Sequence, residues 1–279
     1  GLPGHEFTDV SVLRSPLVVA SGGGAVYAAY LSGASGTHRL WYRQLLPTVS
    51  APALVQDVAS FGGDGYLGGP VIKVDPAGNA HIAWRYVKYA TFSAVGYARI
   101  TTPGMPAAAQ EVELEALGAS ATLSEPDLVL DIATATAKAH VAYKRLNGST
   151  ESSLAAARYD NAVYQTMRVI TLTGADGWTV GGGVERPSLA LNGTVPAVAF
   201  TARREPADAS FYAYLWKGSG APERVSAVGG LNPRDVLAVS IGSPLTPLPL
   251  VIYKVVTTTA GASGLYVYDS IYDRTILVA

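Results

Sequence analysis

Two short segments carry the side chains best suited to holding a sugar. Gly63-Asp64-Gly65-Tyr66 is followed by Gly68-Gly69, and Ala175-Asp176-Gly177-Trp178 by Gly181-Gly182. A carboxylate accepts hydrogen bonds from hydroxyls while an aromatic ring packs on the apolar face of a pyranose, so Asp64 with Tyr66 and Asp176 with Trp178 are candidate glycan-binding pairs. The competing reading, preferred on the sequence, is a tight Asp-Gly turn whose aromatic tucks between structural units. Cations form a second set: Arg85, Lys144 with Arg145, Arg203 with Arg204, and Lys254. Such groups clamp a carboxylate or phosphate, which adds Arg85, Lys144 and Lys254 to the candidate ligand set; the commoner role, again preferred, is a solvated strand end. The histidines His5, His38, His81 and His140 are scattered, with no metal-ligand spacing, so neither a metal nor another cofactor is expected. Asn147-Gly148-Ser149 and Asn192-Gly193-Thr194 match glycosylation acceptors, a pattern short enough to arise by chance. No constellation of nucleophile, base and acid stands out.

Composition narrows the partners. Twenty basic against twenty-one acidic residues give a formal charge of −1, which offers no electrostatic footprint for nucleic acid. Charged residues make up only 15% of the chain where about 25% is ordinary, so part of the surface is expected to be covered. Apolar runs such as Leu248 to Tyr253 are far too short to span a bilayer as a helix. Cysteine is absent, which excludes disulfides and thiolate chemistry. The start at Gly1, the sixteen tyrosines and the six lysines read as a processed product acting outside the cell or at its surface.

The elements that position these residues come from a repeat. Proline opens a short strand at Pro16, Pro70, Pro126, Pro187 and Pro233, with gaps of 54, 56, 61 and 46 residues. A second strand follows each, ending in Ala28-Ala29-Tyr30, Ile82-Ala83-Trp84, Val141-Ala142-Tyr143, Val198-Ala199-Phe200 and Val251-Ile252-Tyr253. Asp75-Pro76-Ala77-Gly78-Asn79 and Asn192-Gly193 have hairpin chemistry, making the two strands antiparallel neighbours. A third strand is seen at Leu40-Trp41-Tyr42, Val95-Gly96-Tyr97 and their counterparts. The fourth is clearest at Glu111-Val112-Glu113-Leu114-Glu115-Ala116, whose alternation marks an exposed outer strand. Four strands per unit at a period of about 50 residues predict a single all-β domain over 1–279, a five-bladed β-propeller of four-stranded antiparallel blades. The blades are expected at about 16–60, 70–117, 126–173, 187–228 and 233–279, preceded by an N-terminal strand in 1–15.

That count leaves a surplus strand. Thr275-Ile276-Leu277-Val278 and Phe7-Thr8-Asp9-Val10-Ser11-Val12 both claim the outer place of the last blade. An unpaired strand must be covered, charged or paired. Either it lies as a fifth strand on the last blade, or it augments a neighbouring molecule through Phe7, Val10 and Val12 against Ile276 and Val278. In the second case donor and acceptor differ, the contact is heterologous, and the product is a filament.

The pattern Asp75, Gly78, His81, Ala83 and Trp84, echoed at Asp131, His140, Ala142 and Tyr143, resembles the blade repeat of sialidase-like and lectin-type propellers. It specifies a blade and not an activity, and it makes His81 and His140 hydrogen-bonded packing residues. In sialidase-like enzymes an arginine triad holds the substrate carboxylate. Arg14, Arg186 and Arg234 flank blade-opening prolines here, but Gly174 to Thr179 departs from the family's Asp-box and no tyrosine–glutamate nucleophile pair can be assigned. Five-bladed glycosidases use acids around the central channel, where Glu125 and Glu185 stand as candidates with Asp64 or Asp176. The resulting expectation is an extracellular, non-catalytic propeller that partners with copies of itself. A lectin recognising cell-surface glycans and a glycoside hydrolase are the alternatives.

Overall fold

The computed structural model describes residues 17–33, 38–57, 66–88, 92–116, 121–133, 137–147, 151–160, 163–170, 178–180, 187–204, 210–226, 236–242, 250–255, 263–269 and 274–278. Among these residues the chain is all-β, built of antiparallel sheets without helix.

The first sheet runs β1 (Leu17–Gly22), β2 (Ala25–Ser32), β3 (Arg39–Leu46), β4 (Ala53–Asp57) in that order. In the second, β5 (Tyr66–Leu67) and β6 (Val71–Val74) both pair with β7 (Ala80–Lys88), which is followed by β8 (Phe92–Ile100) and β9 (Gln110–Ala116). The third repeats this plan with β10 (Ala121–Leu123) and β11 (Asp127–Asp131) on β12 (Lys138–Asn147), then β13 (Glu151–Asp160) and β14 (Val163–Ile170). The fourth has β15 (Trp178–Val180) and β16 (Ser188–Asn192) on β17 (Val195–Arg204), then β18 (Tyr212–Trp216) and β19 (Glu223–Arg224). The fifth is β20 (Val236–Gly242), β21 (Leu250–Val255), β22 (Gly264–Asp269), β23 (Arg274–Leu277). Every sheet therefore has four positions, the first of them split in two in the middle three sheets.

The split falls at the repeat's proline. Proline has no N–H to give to a ladder, so pairing stops before it and resumes after it. In the second sheet Gly68 N still donates to Arg85 O at 2.8 Å, then Gly69-Pro70 leaves the ladder and Val71 resumes opposite Ala83. Strand pieces of two or three residues carry no periodicity, which is why β5, β10 and β15 were not foreseen. The hairpins follow the expected chemistry. Gly23 and Gly24 turn β1 into β2 at φ 56° and 77°, both left-handed, as a two-residue hairpin needs. Gly78 at φ 82° closes the Asp75–Asn79 loop.

The described residues fall into two compact units, Gly1–Ala139 with Asp160–Tyr164, and His140–Tyr159 with Gln165–Ala279. The core of the former joins the first and second sheets through Tyr27, Leu31, Tyr42, Ile82, Trp84 and Tyr86. That of the latter joins the fourth and fifth through Ala199, Leu215, Val251, Tyr253 and Tyr268.

The fit within the first core is tight at Gly96, which lies directly across from Trp84. A Cβ added there would come 2.5 Å from Cε2 and Cζ2 of the Trp84 ring, which is fully buried. Replacing glycine in an open strand normally stabilises by roughly 0.5–1 kcal/mol through the unfolded chain; here overpacking reverses the sign. We expect Gly96→Ala to lower the unfolding free energy by about 1–3 kcal/mol in urea titration, and a variant as stable as its parent would refute this packing.

Candidate functional site

Between the second and third sheets, polar groups gather where the first strands break. Glu125, in the gap between β10 and β11, is 3% exposed, and its Oε1 accepts from the backbone N–H of Gly69 in the gap between β5 and β6, at 3.1 Å. Gly68 has no side chain where one would lie 3.3 Å from both Arg85 Cβ and Glu125 Cγ. Arg85 on β7 is 7% exposed and donates from Nε to Ser93 Oγ at 3.4 Å; the same hydroxyl accepts from Leu123 N at 3.1 Å. Glu125 thus ties the two strand breaks together, and one of its oxygens is engaged by main chain. A general acid must meet substrate at hydrogen-bonding distance, and this carboxyl is enclosed at a sheet seam instead. Arg85 and, in the third sheet, Lys144 at 2% exposed also correct the expectation of solvated strand ends. They sit on the second strand of their sheets, where both faces are covered.

A second polar group is built on the Asp75–Asn79 hairpin. The Asp75 carboxylate accepts from Asn79 N at 2.8 Å and Asn79 Nδ2 at 2.9 Å. His81, on β7 and fully buried, places Nε2 3.3 Å from Asp75 Oδ2 and Nδ1 2.6 Å from the Tyr97 hydroxyl on β8. With Nε2 protonated toward the carboxylate, Nδ1 accepts from Tyr97 O–H, and both ring nitrogens are satisfied. Arg99 Nη2 approaches Asp75 Oδ2 at 3.7 Å. Burial pushes His81 down to about 4, outweighing the pull of the Asp75 carboxylate, so the ring is neutral at physiological pH. Burial works to raise Asp75, but the hydrogen bonds from Asn79 and His81 outweigh it and hold the carboxyl below its ordinary range. His81 is a hydrogen-bonded packing residue, as its place in the repeat implied. His140 and Asp131, the counterparts in the third sheet, are buried too, at 3% and 6% exposed.

The two glycan-motif aromatics fall in strands, not in loops. Tyr66 opens β5 opposite Val87, three residues beyond Trp84, while Trp178 opens β15 opposite Arg204, four residues beyond Phe200. The motifs therefore match in sequence but differ by one residue in register, so the two backbone positions are not equivalent in the pleat. Lys254 lies in β21, opposite Leu237 and Leu265. Ile276 and Val278 are exposed at 45% and 58%. Asp64, Asp176, Glu185, Phe7, Val10, Val12, His5, Arg14, Arg186 and Arg234 lie outside the described residues. The Gly69–Glu125 contact was missed from sequence because it joins residues 56 apart.

No protein-family model matches this sequence, and no curated protein does. Solved structures do. The Hadza microbial sialidase Hz136 aligns with 94% of this chain and 58% of its own at 9% identity and a TM-score of 0.50. The GH32 beta-fructofuranosidase BmSUC1 of Bombyx mori aligns with 93% of this chain and 61% of its own at 10% identity and a TM-score of 0.43. A neuraminidase-like protein from a flat-faced bat source aligns with 90% of this chain and 85% of its own, at 10% identity and a TM-score of 0.36. The chain spans about three fifths of the length of the first two. At such identity the likeness is one of fold alone, and that to the sialidase, at a TM-score of 0.50, supports a propeller-type architecture, in agreement with the blade resemblance seen in the sequence.

The buried histidine gives stability a pH dependence of fixed sign. In the unfolded chain His81 takes up a proton near 6.5, but in the fold not until about 4. Its contribution is complete above pH 6.5 and is lost as pH falls toward 4, by up to about 3 kcal/mol. His38, also lowered by burial, adds to the same slope, and Asp75 adds loss only below its ordinary range near 3.8. Urea midpoints measured from pH 7 to 4 should fall steadily, and His81→Gln should flatten most of that fall. A wild-type midpoint constant across the interval contradicts the assignment.

Proposed function

We propose that this chain is an extracellular, non-catalytic β-propeller whose five four-stranded sheets are its blades, and that it associates with copies of itself by strand exchange into a homopolymer or surface filament. The observation that carries this proposal is an occupancy. All four positions of all five sheets are filled by residues between Leu17 and Leu277, and Arg274–Leu277 holds the outer position of the fifth. On this reading the alternating segment Phe7-Thr8-Asp9-Val10-Ser11-Val12, which lies outside the described residues, is the donor strand. Beyond β23, whose pairing with β22 continues through Val278 N to Leu265 O at 2.8 Å, the fifth sheet has no further strand among the described residues. Ile276, Leu277 and Val278 are exposed there at 45%, 54% and 58%. An apolar open edge is a template for an incoming strand, whose main chain supplies affinity and whose alternate side chains supply specificity. Because the donor segment and the acceptor edge are different surfaces, the contact does not close on itself and propagates. The low charge density is in keeping with a surface that is covered in the assembled state. The enclosed Glu125 favours a non-catalytic role over a glycosidase with that residue as its acid.

Negative-stain electron microscopy and light scattering of the full chain and of a version lacking residues 1–13 test this directly. Long particles from the full chain, absent after truncation while the melting temperature is kept, are the expected result. Ile276→Lys, which places a charge on the acceptor edge, should shorten or abolish them as well. A truncated chain that still polymerises, or compact monomers from both versions, overturns strand exchange.

A further inference from the structure

The first strands of the first three sheets lie side by side, β1 packing on β6 and β6 on β11. At the end where β1 turns into β2 they enclose a cleft of about 380 Å³, within the size range of small-molecule sites. Its walls are set by backbone as much as by side chains. Gly22 and Gly23 lie so close to the Val74–Pro76 main chain that a Cβ on Gly22 would stand 2.5 Å from Val74 O, and one on Gly23 would strike Pro76 O. Pro76, Val129 and Ile132 give the cleft an apolar lining, and Ile132 is 56% exposed at its mouth.

Lys73 is the one charged side chain on that lining. It is exposed, and it has no hydrogen-bond or ion-pair partner among the described residues. The two nearest acids along these strands are committed elsewhere. Asp75 is 2% exposed and bonded to Asn79 and His81, and Asp131 is 6% exposed with Oδ1 accepting from Ala133 N at 3.0 Å. An apolar hollow with a single unneutralised ammonium at its edge complements a ligand with an apolar body and one acidic head. We propose that this cleft binds an amphiphilic carboxylate, its hydrocarbon against Pro76, Val129 and Ile132 and its head on Lys73 Nζ. The glycan motifs and the terminal strands play no part in it.

The experiment uses the full chain with decanoate and decanol as probes, each displacing the fluorescent dye anilinonaphthalene sulfonate. Decanoate should bind more tightly than decanol. Lys73→Met should weaken decanoate about fivefold, the range of an exposed ion pair, and leave decanol unchanged. Ile132→Asp, at an exposed position that keeps the fold, should weaken both probes at least tenfold with an unaltered melting temperature. Decanoate that fails to displace the dye, equal sensitivity of acid and alcohol to Lys73→Met, or binding untouched by Ile132→Asp would each overturn the site.

Discussion

The first four sheets depend on their second strand being covered on both faces. Ala29 and Tyr30 in β2, Ala83 and Trp84 in β7, Ala142 and Tyr143 in β12, and Ala199 and Phe200 in β17 are all at most 1% exposed. Neighbouring residues of a strand point to opposite faces, so each pair presents a methyl group to one side and a ring to the other. The small side lets the adjoining layer approach closely, and the aromatic fills the wider gap left by the twist. Close packing then constrains the flanking strands: β8 needs glycine at Gly96 to pass beneath the Trp84 ring. Among the described residues the arrangement even leaves the Trp84 indole N–H without a hydrogen-bond partner in a fully buried side chain. A cost of about 1–3 kcal/mol for such a group is of the same order as the gain from burying one large ring.

The ionisable groups His81, Asp75 and Glu125 are each answered by polar partners in these seams. His81 is neutral, so it needs one donor and one acceptor, and Tyr97 and Asp75 supply them. Asp75 is held charged by Asn79 from its own hairpin, so the turn geometry and the core histidine are set together. Glu125 does similar work at the other end of the strands, capping an N–H that the proline break in the second sheet leaves outside the ladder. A carboxylate that satisfies main chain in this way is fixed by architecture, and a resemblance between blades conveys nothing about whether it also performs chemistry.

These roles explain what could be seen in the sequence alone. The proline and the small-then-aromatic pair recur because each sheet solves the same burial problem, so strand order, hairpins and the outer strand at Glu111 were legible. The short pairing pieces β5, β10 and β15 were not, since two or three residues hold no period and their partners lie across a turn. Arg85 and Lys144 read as solvated because a cation near a strand end usually is; their burial depends on a neighbouring layer that the local sequence does not describe. The shared Asp-Gly-aromatic string suggested equivalent sites at Tyr66 and Trp178, yet the register differs by one residue, a property of where each strand meets its partner.

The sheets also differ in how they treat their outer edges. On β4, Asp57 accepts from Arg39 Nε at 3.0 Å; β9 shows the exposed Glu111, whose carboxylate accepts from the Tyr86 hydroxyl at 2.8 Å. On β19 both residues, Glu223 and Arg224, are charged and exposed, and Lys217 pairs with Glu223 at 2.6 Å. Charges on an edge make strand addition unfavourable, because an incoming chain would desolvate them. β23 departs from this pattern with Ile276 and Leu277 exposed side by side. An apolar edge is a liability in a molecule that must stay alone and an asset in one that must find its neighbour. Among the described residues, three outer strands thus carry charge where β23 exposes Ile276 and Leu277, and charge on those three edges keeps an exposed apolar strand from pairing with them in the wrong register.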